Sequence, residues 1–179
     1  MERNLTMIAL FAALIAALGL IPKFTLASGV PISAQSLGIM LCGTVLGAKR
    51  GALAVLLFLG LVALGLPLLA GGRGGLGVFG GVTVGYLIGF PVAAFVTGLL
   101  AQVWRDRGGW ILPAVAALVG GVVVLNILGI VGMAVKLDKT LAEATLLATP
   151  FIPGDILKCV LAGLITQGLQ KARPGLLQA

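Results

Sequence analysis

An all-α, polytopic membrane protein with six transmembrane helices, forming one domain over residues 1–179, is the fold class the sequence predicts. Three observations carry that expectation. Of the 179 residues 60% are hydrophobic and 9% charged, with a mean hydropathy of +1.20, which is too apolar for a soluble domain. The apolar residues also fall in long runs separated by short breaks, and no polar stretch is long enough for a second domain. Finally, the net charge of +7 sits in those breaks. That placement is topogenic and excludes the phosphate-tracking stripe of a nucleic-acid binder.

Leu5 to Leu20 is the first span, preceded by Arg3. A signal peptide begins in the same way, and Leu26-Ala27-Ser28 has the form of a weak cleavage site. More membrane follows, so the run is expected to be retained. Ala9, Ala13 and Ala17 make one stripe on it, with Ala12 and Ala16 beside them. Such small-xxx-small stripes let helix backbones approach closely, although alanine is also simply abundant here. Pro22 and the Gly29-Val30-Pro31 turn break the chain before a second run, Gln35 to Gly47. That run is short for a ~30 Å core, so its start is expected below the surface with Gln35 facing inward.

Lys49-Arg50-Gly51 punctuates, and Ala52 to Ala70 is a third run of spanning length with Pro67 near its end. Gly71 to Gly81 is too rich in glycine for a helix interior. Within it Gly75, Gly77 and Gly80 formally match GxGxxG, but no βαβ context surrounds them and no acidic residue follows before Asp106, so the match is accidental. What remains is a backbone that can approach a ligand closely, with Arg73 as its one charge. An interface-anchored loop charge is the other reading of Arg73.

Thr83 to Trp104 is the fourth span, with Tyr86 near its start, Pro91 as a kink and Trp104 at the water interface. After the polar turn Arg105 to Gly109 comes the fifth span, Trp110 to Val135. Its single strongly polar side chain, Asn126, serves either a neighbouring helix or a ligand. Lys136 to Thr149 reads as a polar, amphipathic connection. Phe151 to about Leu169 is the sixth span, followed by Lys171 and Arg173.

The chain has no histidine, and Cys42 and Cys159 lie inside apolar runs without a CxxC pair. Metal site, disulfide and hydrolytic triad are therefore not expected, and the cysteines read as buried small hydrophobes. With no catalytic constellation and no nucleotide motif, the protein is expected not to be an enzyme and to need no cofactor.

The sixth span opens with Phe151-Ile-Pro-Gly-Asp-Ile-Leu-Lys158. Pro153 suits a first helical turn, and Asp155 and Lys158, three residues apart, share a helix face. Ionisable groups at membrane depth face a bundle interior or a cavity, which marks a site for a ligand needing one acceptor and one cation. A structural ion pair is the alternative. Six spans put both termini on one side, where Arg3, Lys49, Arg50, Arg105, Arg107, Lys171 and Arg173 lie, against Lys23, Arg73, Lys136 and Lys139 opposite. Cytoplasmic termini follow from that excess. The glycine loop, the chain before Gln35 and the Asp155/Lys158 turn then gather on the outer side, where irregular backbone is tolerated if it lines a cavity.

Five segments resemble the BioY family, the membrane-embedded biotin-binding subunits of energy-coupling-factor (ECF) vitamin transporters. They are Pro31-Ile-Ser-Ala-Gln-Ser36, Gly47-Ala-Lys-Arg-Gly-Ala-Leu-Ala54, Gly71-Gly-Arg-Gly-Gly-Leu-Gly77, Gly85-Tyr-Leu-Ile-Gly-Phe90 and Phe151 to Lys158, in the family's order and spacing. Val82 and Val84 depart from it, standing where the family usually has proline and glycine. The resemblance implies a compact six-helix substrate-binding (S) component of a bacterial or archaeal cell (inner) membrane with an occluded vitamin pocket near the outer face. It implies that Asp155 accepts from a ureido N–H of biotin, while Lys158 donates to the ureido oxygen or pairs with the carboxylate. Arg73 is the other candidate for the carboxylate, Tyr86 and Phe79 for flanking the bicycle, Gln35 and Asn126 for further hydrogen bonds, and Gly75 for a close backbone approach. Lacking a nucleotide motif, such a chain relies on a transmembrane coupling protein and ABC-type ATPases, with Ala9, Ala13 and Ala17 as the implied docking stripe. Some members of the family are thought to work without dedicated partners, and both modes stay open. A subunit for another vitamin and a small channel remain as alternatives.

Overall fold

The structure, a computed structural model, describes residues 2–22, 24–25, 31–107 and 109–172. The signal-like Leu26-Ala27-Ser28, Gly29 and Val30 of the expected turn, Lys23 and Arg173 lie outside the described residues. Among the described residues the regular structure is helical apart from a two-residue antiparallel pair, β1 (Phe24–Thr25) and β2 (Pro31–Ile32), with Phe24 opposite Ile32. Six helical runs follow the predicted order: α1 (Glu2–Leu18), α2 (Gln35–Leu46), α3 (Ala48–Ala63), α4 (Val84–Val103), α5 (Ile111–Leu137) and α6 (Leu141–Ala172). Of these, α4, α5 and α6 are long and apolar enough to cross a membrane by themselves.

Helix α4 is central and packs against α2, α3 and α5, while α1 lies on α2 and α3, and the second half of α6 lies on α2 and the start of α5. Ile15, Ile39, Met40, Phe58, Val62 and Met133 are fully enclosed between them. Close approach of α4 and α5 depends on a glycine pair: a Cβ built on Gly85 would stand 2.8 Å from the Gly132 Cα. With acyl chains as apolar as leucine, helix association in a bilayer rests on such backbone proximity. Leu53, Leu57, Phe95, Leu99, Val131 and Leu161 point outward, as a lipid-facing surface requires.

Three stretches differ from expectation. The third helix begins at Ala48 and ends at Ala63, because Gly65 takes a positive φ of 104° and Pro67 follows. Leu69 and Ala70 are nevertheless buried. Hydropathy reported their burial correctly and their backbone incorrectly. The connection after α5 is itself helical over Leu141–Ala148, started by a capping box in which Thr140 Oγ1 accepts from the Glu143 N–H and Glu143 Oε2 accepts from the Thr140 N–H. A 3-10 turn, Thr149–Phe151, then leads into Ile152–Ala172. Finally, α5 winds as a π-helix over Leu118–Val124, around Gly120 and Gly121.

On α1 the alanines divide. Ala12 is buried in the core, whereas Ala9, Ala13 and Ala17 are exposed. Cys42 and Cys159 are free and buried, as expected of small hydrophobes.

Candidate functional site

Two helix starts, the middle of α6 and one loop meet around a cavity. From α2 come Gln35 and Ser36, from α4 come Tyr86, Leu87 and Phe90, and from α6 come Asp155 and Lys158. The segment between α3 and α4 contributes Leu69, Ala70, Arg73 and Thr83, and Ser33, Leu125 and Phe151 complete the wall. Sequence reading anticipated the meeting of these regions. The cavity encloses about 60 Å³.

Its polar centre is a triad of one buried and two partly buried side chains. Lys158 Nζ donates to Asp155 Oδ1 and to Ser36 Oγ, each at 2.9 Å, and the Ser36 hydroxyl donates to Asp155 Oδ1 at 3.3 Å. The Asp155 and Lys158 side chains are 9% and 15% exposed. Their spacing on one helix face brings them together, and Ser36, one residue into α2, ties the pair to a second helix. Burying two charges carries a large desolvation cost that mutual attraction alone repays poorly. Such a pair is better explained by a task than by stability.

Arg73 lines the same cavity and also a more open hollow of about 490 Å³ beneath the glycine loop, with Gly72, Gly77 and Val82. Its Nε donates to the Ala70 carbonyl at 3.4 Å. Partial burial lowers its pKa from the ordinary value, yet a guanidinium remains a cation. Among the described residues no carboxylate is paired with it.

Tyr86 forms one aromatic wall, its ring 5.8 Å from that of Phe151 at a 47° tilt. Beneath it lies Gly129, where a Cβ would run into the ring. The Tyr86 hydroxyl donates to Asn126 Oδ1 at 3.4 Å, and Asn126 Nδ2 donates to the Val122 carbonyl at 2.9 Å. Asn126 therefore bonds a neighbouring helix, as one of its two readings held, and stands behind the cavity wall.

Gln35 is 2% exposed and fully engaged by backbone. Its Nε2 donates to the carbonyls of Ile15 and Leu68, and its Oε1 accepts from the Ala70 N–H at 2.9 Å. Phe79 and Gly75 are not part of the cavity wall. Phe79 packs half-buried against the core, and Gly75, at φ 82°, donates its N–H to the Val62 carbonyl at 2.7 Å, fastening the glycine loop to α3. Sequence reasoning missed Ser36, Phe90 and Phe151. The signal for Ser36 was present, since it follows Gln35 at the start of a helix read as facing inward.

Comparison with known proteins places this architecture. The model of the BioY family matches residues 2–175. The chain belongs to the BioY family. It is 50% identical to the biotin transporter BioY of Rhodobacter capsulatus, over all of this chain and 99% of that one, and 46% identical to the biotin transporter BioY of Rhizobium etli, over 96% and 95%. The crystal structure of the S-component for biotin from an ECF-type ABC transporter superposes with a TM-score of 0.88 at 31% identity, covering 95% of this chain and 92% of that one.

Proposed function

We propose that this chain is the biotin-capturing membrane subunit of a vitamin transporter, and that residues 1–179 act as one binding unit. The observation that carries the proposal is the Ser36–Asp155–Lys158 triad at the wall of a cavity that also holds Arg73. Biotin offers two ureido N–H donors and a carbonyl acceptor on an apolar bicycle, with a carboxylate at the end of its tail. Asp155 accepts from a ureido N–H, Lys158 donates to the ureido oxygen, and Tyr86 with the aromatic wall covers the bicycle. Arg73, a partly desolvated cation, takes the carboxylate, where a planar fork pairs bidentately. Gln35, Asn126, Gly75 and Phe79 support this arrangement from outside the direct contacts.

Pockets for small ligands run about 300–1,000 Å³, well above the cavity volume. Entry of biotin therefore requires the glycine loop to move outward, which its backbone freedom permits. The cavity opens to the outside of the cell membrane and both termini lie in the cytoplasm, in keeping with the excess of basic residues on the terminal side. Equilibrium binding of biotin to the purified, detergent-solubilised chain tests the proposal. Saturable binding supports it, and absence of binding in a folded sample removes it.

The chain carries no nucleotide motif, so uptake against a gradient draws on an ECF coupling protein and its ATPases. The exposed Ala9, Ala13 and Ala17 are the docking face. Ala13→Trp is expected to leave biotin affinity unchanged and to abolish ATP-driven uptake in reconstituted vesicles. Loss of binding as well would mean that the stripe packs internally.

A further inference from the structure

Gln35 bonds three backbone groups from two other parts of the chain, and two of them bracket one residue. It donates to the Leu68 carbonyl at 3.0 Å and accepts from the Ala70 N–H at 2.9 Å. Leu69, held between them, closes a tight turn: its N–H donates to the Arg73 carbonyl at 3.0 Å, and its own carbonyl accepts from Gly72 at 2.9 Å and from Arg73 at 3.3 Å. Gly71 and Gly72, at φ 80° and 70°, supply the left-handed positions that the turn needs. The third bond, to Ile15 near the end of α1, fixes the Gln35 amide to the helix framework at 3.2 Å. An unbroken sequence of short contacts thus runs from the helix framework through Gln35 and Leu69 to the backbone of Arg73.

We propose that Gln35 is a positioning residue for the ligand carboxylate: it sets the Leu69–Arg73 turn and thereby the place of the Arg73 guanidinium, without touching ligand itself. The inference rests on the function proposed above. A buried amide with all these bonds made rigidifies its neighbourhood, and a partly satisfied one does not. Loss of the amide leaves the Ala70 N–H and the Leu68 carbonyl without their partner, so the turn shifts and the guanidinium leaves its mark. The consequence is specific, because the ureido end is held by Ser36, Asp155 and Lys158 on other elements.

The experiment compares Kd for biotin and for its carboxyl amide in the full-length protein in detergent, with size exclusion and thermal melting as checks of folding. Arg73→Met is expected to weaken biotin by about ten- to hundredfold and the amide little, as loss of hydrogen bonds to a charged group requires. Gln35→Met is expected to weaken biotin about tenfold and the amide less than about threefold. The double variant is expected to bind biotin no more weakly than Arg73→Met alone. Gln35→Asn keeps the amide on a shorter side chain that cannot reach all three partners, so it should show the same selectivity at smaller size, and it carries the test if Gln35→Met does not fold. Equal weakening of both ligands by the Gln35 variants, or additivity with Arg73→Met, would overturn the inference. If Arg73→Met itself left the two ligands equally discriminated, the assignment of the carboxylate to Arg73 would fall first, and this inference with it.

Discussion

Two lysine–carboxylate pairs lie close together in the chain and differ in almost everything else. Lys139 and Glu143 stand 4.0 Å apart with side chains 41% and 53% exposed, whereas Lys158 and Asp155 stand 2.9 Å apart and are nearly enclosed. The first pair sits at a helix start, where Glu143 also completes the capping box with Thr140. Exposed pairs of this kind contribute little to stability. The second faces a cavity and shares a serine from another helix. Charge pairing alone therefore predicts nothing about role. What separates the two is how much water each has lost and what else converges on it.

That contrast can be tested, beginning where the largest effect is expected. Asp155→Asn keeps the shape but leaves Lys158 with an uncompensated buried charge, a change that costs about 3–5 kcal/mol in buried pairs. Biotin affinity should fall by about a hundredfold or more, and isothermal titration would show it. Unchanged affinity would reduce the pair to a structural one. Gly129→Ala is next. The new Cβ must displace the Tyr86 ring, and overpacking of this sort costs about 1–3 kcal/mol. A lower melting temperature and weaker biotin binding are expected together; a melting change without a binding change would remove Tyr86 from the site. At the small end, Lys139→Ala should leave the biotin Kd where it is. A measurable loss there would mean that the connection between α5 and α6 communicates with the cavity, and the contrast between the pairs would dissolve.

Much of this was legible in the sequence, for a simple physical reason. Asp155, Lys158 and Arg73 are conspicuous because charges in apolar surroundings are costly, and Tyr86 because polar aromatics there are few. Ser36 carries no such signal, since serine is tolerated almost anywhere. Phe79 was expected at the site and does not line the cavity, because the direction of a ring on a glycine-rich loop depends on tertiary packing, while Phe90 on α4 and Phe151 in the turn before Ile152 went unread because phenylalanine is ordinary in an apolar run. The end of α3 was placed too late at Ala70. A buried loop and a buried helix have the same hydropathy, and Gly65 with Pro67 was the better guide. The helix at Leu141–Ala148 was announced by Thr140 and Glu143 at capping-box spacing, a pattern that went unused. The π-helical stretch of α5 follows from packing around Gly120 and Gly121 and has no counterpart in periodicity.

The outward face of α1 has a meaning in terms of lipid solvation. Where α4 exposes Phe95 and Leu99, α1 exposes a stripe of Ala9, Ala13 and Ala17, flanked by Leu5 and Leu10. An acyl chain lying against methyl groups gains far less dispersion contact than one lying against phenyl and isobutyl groups. Stripping lipid from α1 therefore costs little, and a partner helix able to come close in backbone gains what the lipid could not. Along that stripe the bilayer is a poorer solvent than beside α4, which is the property that the docking proposed above draws on.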